Sequence, residues 1–126
     1  MIRLLIVESR PAVRNGLHMR LAAEADLSVI GEASDAQIAV DMSAALHPDV
    51  VLMDVEMPRG DATANALCLI CQQAPVIILS MHDDARTRTR AKEAGAAAFV
   101  AKSMPAEALL ATIRQVAHSP LRNRFS

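Results

Sequence analysis

A doubly wound α/β domain with a parallel sheet is the fold this sequence predicts, and three observations carry the expectation. Short, near-continuous apolar runs recur at Ile2 to Val7, Leu27 to Gly31, Val50 to Met53, Val76 to Leu79 and Ala97 to Val100, the pattern of parallel strands buried on both faces. Between them lie longer stretches with apolar residues three and four apart, as in Leu109, Leu110, Ile113, Val116 and Ala117, where one stripe of a helix faces a core. The two kinds of segment alternate strictly, so five strands and five helices follow one another, and right-handed crossovers place helices on both faces of the sheet.

For five strands alternating in this way the flavodoxin-like (βα)5 order 2-1-3-4-5 is expected, with a ligand crevice at the carboxyl ends of strands 1 and 3. The residues just after each strand are then the ones to weigh: Glu8 and Ser9, Asp54 to Pro58, Ser80 to Asp84, and Lys102. A chain of 126 residues fits one domain, placed at 1–118. Residues 119–126 lack periodicity and read as a frayed tail or the start of a linker.

Composition excludes several classes. Hydrophobic residues at 52% and charged residues at 21% belong to an ordinary globular protein. Thirteen Lys and Arg against fourteen Asp and Glu leave a formal charge of -1, so no global field draws the chain onto nucleic acid or an anionic membrane. The apolar start at Met1 to Val7 is ended by Glu8, Ser9 and Arg10 before it could serve as a signal-peptide core or a membrane span, and a cytoplasmic location is expected. Cys68 and Cys71 have C-x-x-C spacing but fall inside one predicted helix, with no further cysteines to complete a zinc site; they read as small core thiols. The run Arg86, Arg88, Arg90 and Lys92 reads as a solvated helix face, with partner contact as the alternative.

Strand ends that deliver a carboxylate, a hydroxyl and an amine to one edge form a chemical constellation. Glu8, Asp54 and Glu56 concentrate negative charge of the kind a hard divalent cation such as Mg2+ relieves. Lys102 adds a compact cation able to pair with Asp54 and with phosphoryl oxygens, and Ser80 adds a hydroxyl donor. The blocks Leu5-Ile6-Val7-Glu8, Asp49 to Pro58, Ile78 to Asp84 and Gly95 to Lys102 together resemble the four signature blocks of response-regulator receivers from two-component signalling, over Ile2 to about Ala117. The Ser80-Met81-His82-Asp83-Asp84 block and Lys102-Ser103 look most like receivers attached to LuxR-like helix-turn-helix outputs. The resemblance implies that Asp54 is the phosphoacceptor, that Glu8, Asp54 and the backbone carbonyl of Glu56 meet Mg2+, that Ser80 and Lys102 bind the phosphoryl group, and that Ser80 and Phe99 switch the surface of helix 4, strand 5 and helix 5. It implies a sensor histidine kinase as donor, admits a homodimer, and allows DNA contact only through an output domain not present in this chain. No action on a free substrate is implied.

Three departures stand out. The resemblance calls for two acids after strand 1, and here the pair is Glu8-Ser9; if the missing ligand is worth ~1.4 kcal/mol, metal affinity falls roughly tenfold. The family's Asp-Gly after Met57-Pro58 is replaced by Arg59-Gly60-Asp61-Ala62, which predicts a differently built turn because Ala62 tolerates a left-handed backbone poorly. The 26-residue step from Asp54 to Ser80 predicts a trimmed third helix. Ser9 and the altered turn keep a second class open, a pseudo-receiver that binds a partner protein without phosphoryl chemistry. A flavin-binding domain is disfavoured by the absence of Trp and Tyr, and a phosphatase with Asp-x-Asp after strand 1 by Glu8-Ser9-Arg10. His82 is the histidine nearest the expected site, placed to tune water access to a modified Asp54.

Overall fold

The computed structural model describes residues 1–56 and 60–119. Along the chain it forms β1 (Ile2–Val7), α1 (Pro11–Ala22), β2 (Leu27–Ala33), α2 (Ala36–Leu46), β3 (Val50–Asp54), α3 (Gly60–Cys71), β4 (Val76–Ser80), α4 (Ala85–Glu93), β5 (Ala98–Ala101) and α5 (Ala106–Ala117). The strands pair in parallel in the order β2-β1-β3-β4-β5, the order expected from the alternation of elements.

The sheet separates two apolar layers because successive strand side chains point to opposite faces. Leu5, Val7, Val51, Met53, Val76 and Ile78 face α2, α3 and α4. Leu4, Ile6, Val50, Leu52, Ile77 and Leu79 face α1 and α5, where Leu21, Leu110 and Ile113 meet them. Both faces being covered explains why the central strands are apolar throughout rather than alternating.

Four strands depart from their sequence-based bounds, β3 and β4 each by one residue, reaching Asp54 and Ser80. β2 continues two residues past Gly31, since Ile6 and Val7 still pair with Glu32 and Ala33. The register slips between Leu4 and Leu5, so that Leu4 faces Val29 and Leu5 faces Gly31. Gly31 permits a close approach: a Cβ there would stand 2.6 Å from Met42 Cε and 3.0 Å from Leu46 Cδ1, so the side chains of α2 pack against the backbone of β2 and would have to shift for a larger residue. β5 begins at Ala98, one residue later than expected, and reaches Ala101.

Helix ends follow local chemistry. Asp35 and Asp84 cap α2 and α4 by accepting the N–H of Ile38 at 2.8 Å and of Thr87 at 2.7 Å. Arg3 closes the other end of α2, donating at 2.8 Å to the carbonyls of Leu46 and His47. α1 begins at Pro11 with no side-chain cap from Arg10. At 12 residues α3 equals α1 and α5. Ala62 lies inside α3, where no left-handed backbone is called for; among the described residues only His47 and Gly95 take positive φ. Met57, Pro58 and Arg59, and the tail from Pro120, fall outside the described residues.

Candidate functional site

The crevice opens where the strand order reverses, at the carboxyl ends of β1 and β3. Parallel register sets Val7 beside Met53, Asp54 beside Leu79 and Ser80 beside Ala101. Glu8, Asp54, Ser80 and Lys102 are thereby delivered to one edge, and the Lys102 backbone is tied to β4 by its N–H donating to the Ser80 carbonyl at 2.8 Å.

Asp54 sits at the centre of an ionic network. Lys102 Nζ donates to Asp54 Oδ2 at 2.8 Å and to Glu8 Oε1 at 3.4 Å. The backbone N–H of Glu56 donates to Asp54 Oδ1 at 2.8 Å, so each oxygen of this carboxylate has a fixed donor. Glu8 and Asp54 are only 2% and 1% exposed, and carboxylates this buried need partners because desolvation disfavours the charged form.

The carboxylate of Glu56 turns toward β4. Its Oε1 accepts from the Ser80 hydroxyl at 2.6 Å and from the Met81 N–H at 2.9 Å, while Oε2 lies 3.8 Å from Lys102 Nζ and has no hydrogen-bond partner among the described residues. Burial works against ionising Glu56, but hydrogen bonds from the Ser80 hydroxyl and the Met81 N–H, with the charge of Lys102, prevail and hold its carboxyl below the usual range. Ser80 in turn accepts the His82 N–H at 3.0 Å. The hydroxyl expected to serve a phosphoryl group is thus engaged with Glu56, and His82 stands exposed beside it.

Arg10 joins the site, although in sequence it reads only as the end of an apolar run and a break in an Asp-x-Asp pattern. Its Nη2 lies 3.2 Å from both Glu8 Oε1 and Asp54 Oδ2, its Nε 3.4 Å from Glu8 Oε2, and its backbone N–H donates to Glu8 Oε2 at 3.0 Å. The available signal was a cation two residues after a strand-end acid. Arg14 supports the same segment, donating to the Glu8 carbonyl at 2.8 Å and pairing with Glu32 at 3.3 Å.

Phe99, half-buried on β5, packs against the layer under α4. The Arg88 guanidinium stands 4.6 Å from its ring centroid and also pairs with Asp83, so Arg88 is not simply solvated as the basic run suggested; it covers an aromatic face. Cys68 is exposed rather than core, and Cys71 is half-buried, its thiol pushed up to about 12 by burial and by Cys68. Among the described residues no three His, Cys, Asp or Glu side chains form a group able to hold a metal ion.

The family described as response regulator receiver domain matches residues 4–114. This chain belongs to that family. The receiver is 33% identical over 119 residues to the transcriptional regulatory protein DegU of Brevibacillus brevis, covering 92% of this chain and 50% of that protein. It is 35% identical over 118 residues to the response regulator GacA of Pseudomonas aeruginosa, covering 92% and 55%. The chain therefore spans about half the length of the curated relatives it matches. Among solved structures, the response regulator domain of Thermotoga maritima CheB superposes with a TM-score of 0.85 at 31% identity, covering 94% of this chain and 98% of that one. A LuxR-family response regulator from Aurantimonas sp. superposes with a TM-score of 0.85 at 30% identity, covering 91% and 84%. Receivers of this family act as phosphoacceptor switches fed by histidine kinases and generally bind Mg2+ in an acidic pocket. Among the described residues no helix of this receiver is long and apolar enough to cross a membrane.

Proposed function

We propose that this receiver acts in the cytoplasm, takes a phosphoryl group onto Asp54 from the phosphohistidine of a sensor histidine kinase and thereby controls an output, transcriptional in kind as the names of DegU and other relatives suggest. The observation that carries the reading is Lys102 Nζ at 2.8 Å from Asp54 Oδ2, in a crevice where the Glu56 N–H fixes the other oxygen. In the transfer an Asp54 oxygen bonds to phosphorus as the P–N bond breaks, and the histidine nitrogen leaves with the electron pair. Lys102 is placed to share its charge with the incoming oxygens.

The product carries about -1.5 to -2 charge, which competes with Glu56 for the Ser80 hydroxyl. Ser80 then leaves Glu56, and the space beneath Phe99 changes, so the α4, β5 and α5 surface is the one that reports the event. Residues 1–118 act as the receiver unit and 119–126 as its tail or the start of a linker; any DNA contact belongs to an output domain.

The oxygens of Glu8 and Asp54, with the Glu56 backbone carbonyl, are the groups that would hold Mg2+. Glu8, Asp54 and Glu56 bring three negative charges and Lys102 one positive, a balance of minus two that suits one dication. This donor set fits only when Arg10 is withdrawn from it. Bound Mg2+ would neutralise charge on the transferring phosphoryl oxygens.

The second reading, a pseudo-receiver that binds a partner protein without phosphoryl chemistry, is favoured by Ser9 and by Arg10 lying across the two acids. Intact mass after incubation with acetyl phosphate and Mg2+ separates the two. The phosphoacceptor reading expects one added phosphoryl group, lost in Asp54→Ala; no adduct under saturating Mg2+ leaves the pseudo-receiver.

A further inference from the structure

The Arg10 guanidinium lies between the two most deeply buried acids of the crevice. A single nitrogen, Nη2, is 3.2 Å from Glu8 Oε1 and 3.2 Å from Asp54 Oδ2, so it bridges the two carboxylates that would hold a dication. Lys102 approaches the same two oxygens, at 3.4 Å and 2.8 Å. Between them, the two cations already contact the inward oxygen of each acid.

The charge count agrees with the geometry. With Lys102 alone the three carboxylates keep a balance of minus two; Arg10 reduces it to minus one. A dication entering beside a docked Arg10 would meet one net negative charge and a guanidinium in contact with its ligands. At such distances like charges repel strongly in a poorly solvated crevice. Ser9, where the resemblance calls for an acid, removes one more charge from the same two-residue stretch.

Arg10 differs from Lys102 in how firmly it is held. The Lys102 side chain is 15% exposed, whereas that of Arg10 is 53% exposed. Arg10 precedes the Pro11 start of α1 and caps nothing with its side chain. It can swing into solvent without opening either apolar layer.

We infer that Arg10 is a resident cation of the crevice, competing with a divalent ion for the oxygens of Glu8 and Asp54, so that metal enters only as the guanidinium swings out. The inference rests on the reading of the crevice as a metal-using phosphoacceptor site. Arg10 is a positioning residue in this account, setting the metal concentration at which Asp54 becomes competent.

Mn2+ is the probe, read by paramagnetic broadening of the amide signals of Glu8, Val55 and Glu56 in the 15N-labelled chain. Arg10→Gln is expected to bind Mn2+ about tenfold more tightly than the unaltered chain. Arg10→Lys, a compact charge without the guanidinium fork, is expected to fall between them, and it keeps the test alive should Arg10→Gln fail to fold. In the unaltered chain, diamagnetic Mg2+ should move the Arg10 Nε–H signal toward that of a free arginine as the site fills. Equal or weaker Mn2+ binding by both variants, or an Arg10 signal unmoved while Mg2+ saturates, overturns the inference. If Arg10→Gln tightens Mn2+ binding but acetyl phosphate labels neither chain, the competition stands and the phosphoacceptor reading falls.

Discussion

Two arginines, at opposite ends of the sheet, make ion pairs of comparable geometry and very different consequence. At the amino end Arg114 of α5 holds Asp26 at 2.8 Å and Glu24 at 2.8 Å, with Arg20 adding a pair to Glu24 at 3.2 Å. At the carboxyl end Arg10 reaches Glu8 and Asp54 at 3.2 Å. The Arg114 contacts are the shorter ones, yet Asp26 is 48% exposed and Asp54 is 1% exposed. Water screens the first cluster and leaves it a modest brace between α5 and the loop before β2. The second cluster has little water to fall back on, so each member depends on the others. Contact length alone does not separate a brace from a site; burial and convergence do.

The contrast sharpens into measurable differences. The largest is expected for Lys102→Met, which leaves Glu8 and Asp54 buried with Arg10 alone and should cost about 3 kcal/mol in urea unfolding. A loss under about 0.5 kcal/mol, the range of an exposed pair, would erase the distinction between the two ends. Next comes Glu56→Ala, which removes the acceptor for the proton of the fully buried Ser80 hydroxyl and should cost about 1–2 kcal/mol.

Acid provides a further comparison. Despite its burial, the Glu56 carboxyl is held low by the Ser80 hydroxyl, the Met81 N–H and Lys102. Its contribution is therefore present above the ordinary glutamate value of about 4.3 and is lost as pH falls through its lower folded value. The stability gap between the unaltered chain and Glu56→Gln should shrink on acidification through that window; a gap constant with pH would contradict the assignment. Glu24 and Asp26 are also held low, in each case chiefly by the Arg114 hydrogen bond. Arg114→Ala should therefore blunt the acid loss from that end. The smallest effect is the change in melting temperature of Arg114→Ala at neutral pH, expected to fade as salt is raised.

Much of the carboxyl edge was legible because strand ends are marked by abrupt changes of composition. Val7 to Glu8, Met53 to Asp54 and Leu79 to Ser80 each pass from apolar to polar in one step, and a parallel order then forces those residues to one edge. Side-chain destination is less legible. The positions of Arg10 and Arg88 depend on which carboxylate or ring lies within reach, and Asp54 is 44 residues away from Arg10 in sequence. The end of β2 was hidden by Glu32, a charge directly after the apolar run that stops at Gly31, yet the strand continues because Ile6 and Val7 still pair with Glu32 and Ala33. Cys68 read as core because a small thiol inside a helix is ordinary core, yet it falls on the outward side of α3.

The central claim is that one carboxylate of the three in the crevice, Asp54, carries the phosphoryl group. Borohydride reduces an acyl phosphate to an alcohol, so treatment after labelling with acetyl phosphate, followed by peptide mass mapping, reports the modified side chain directly. The account predicts homoserine at residue 54; conversion at Glu8 or Glu56 instead, or at no residue, would contradict it.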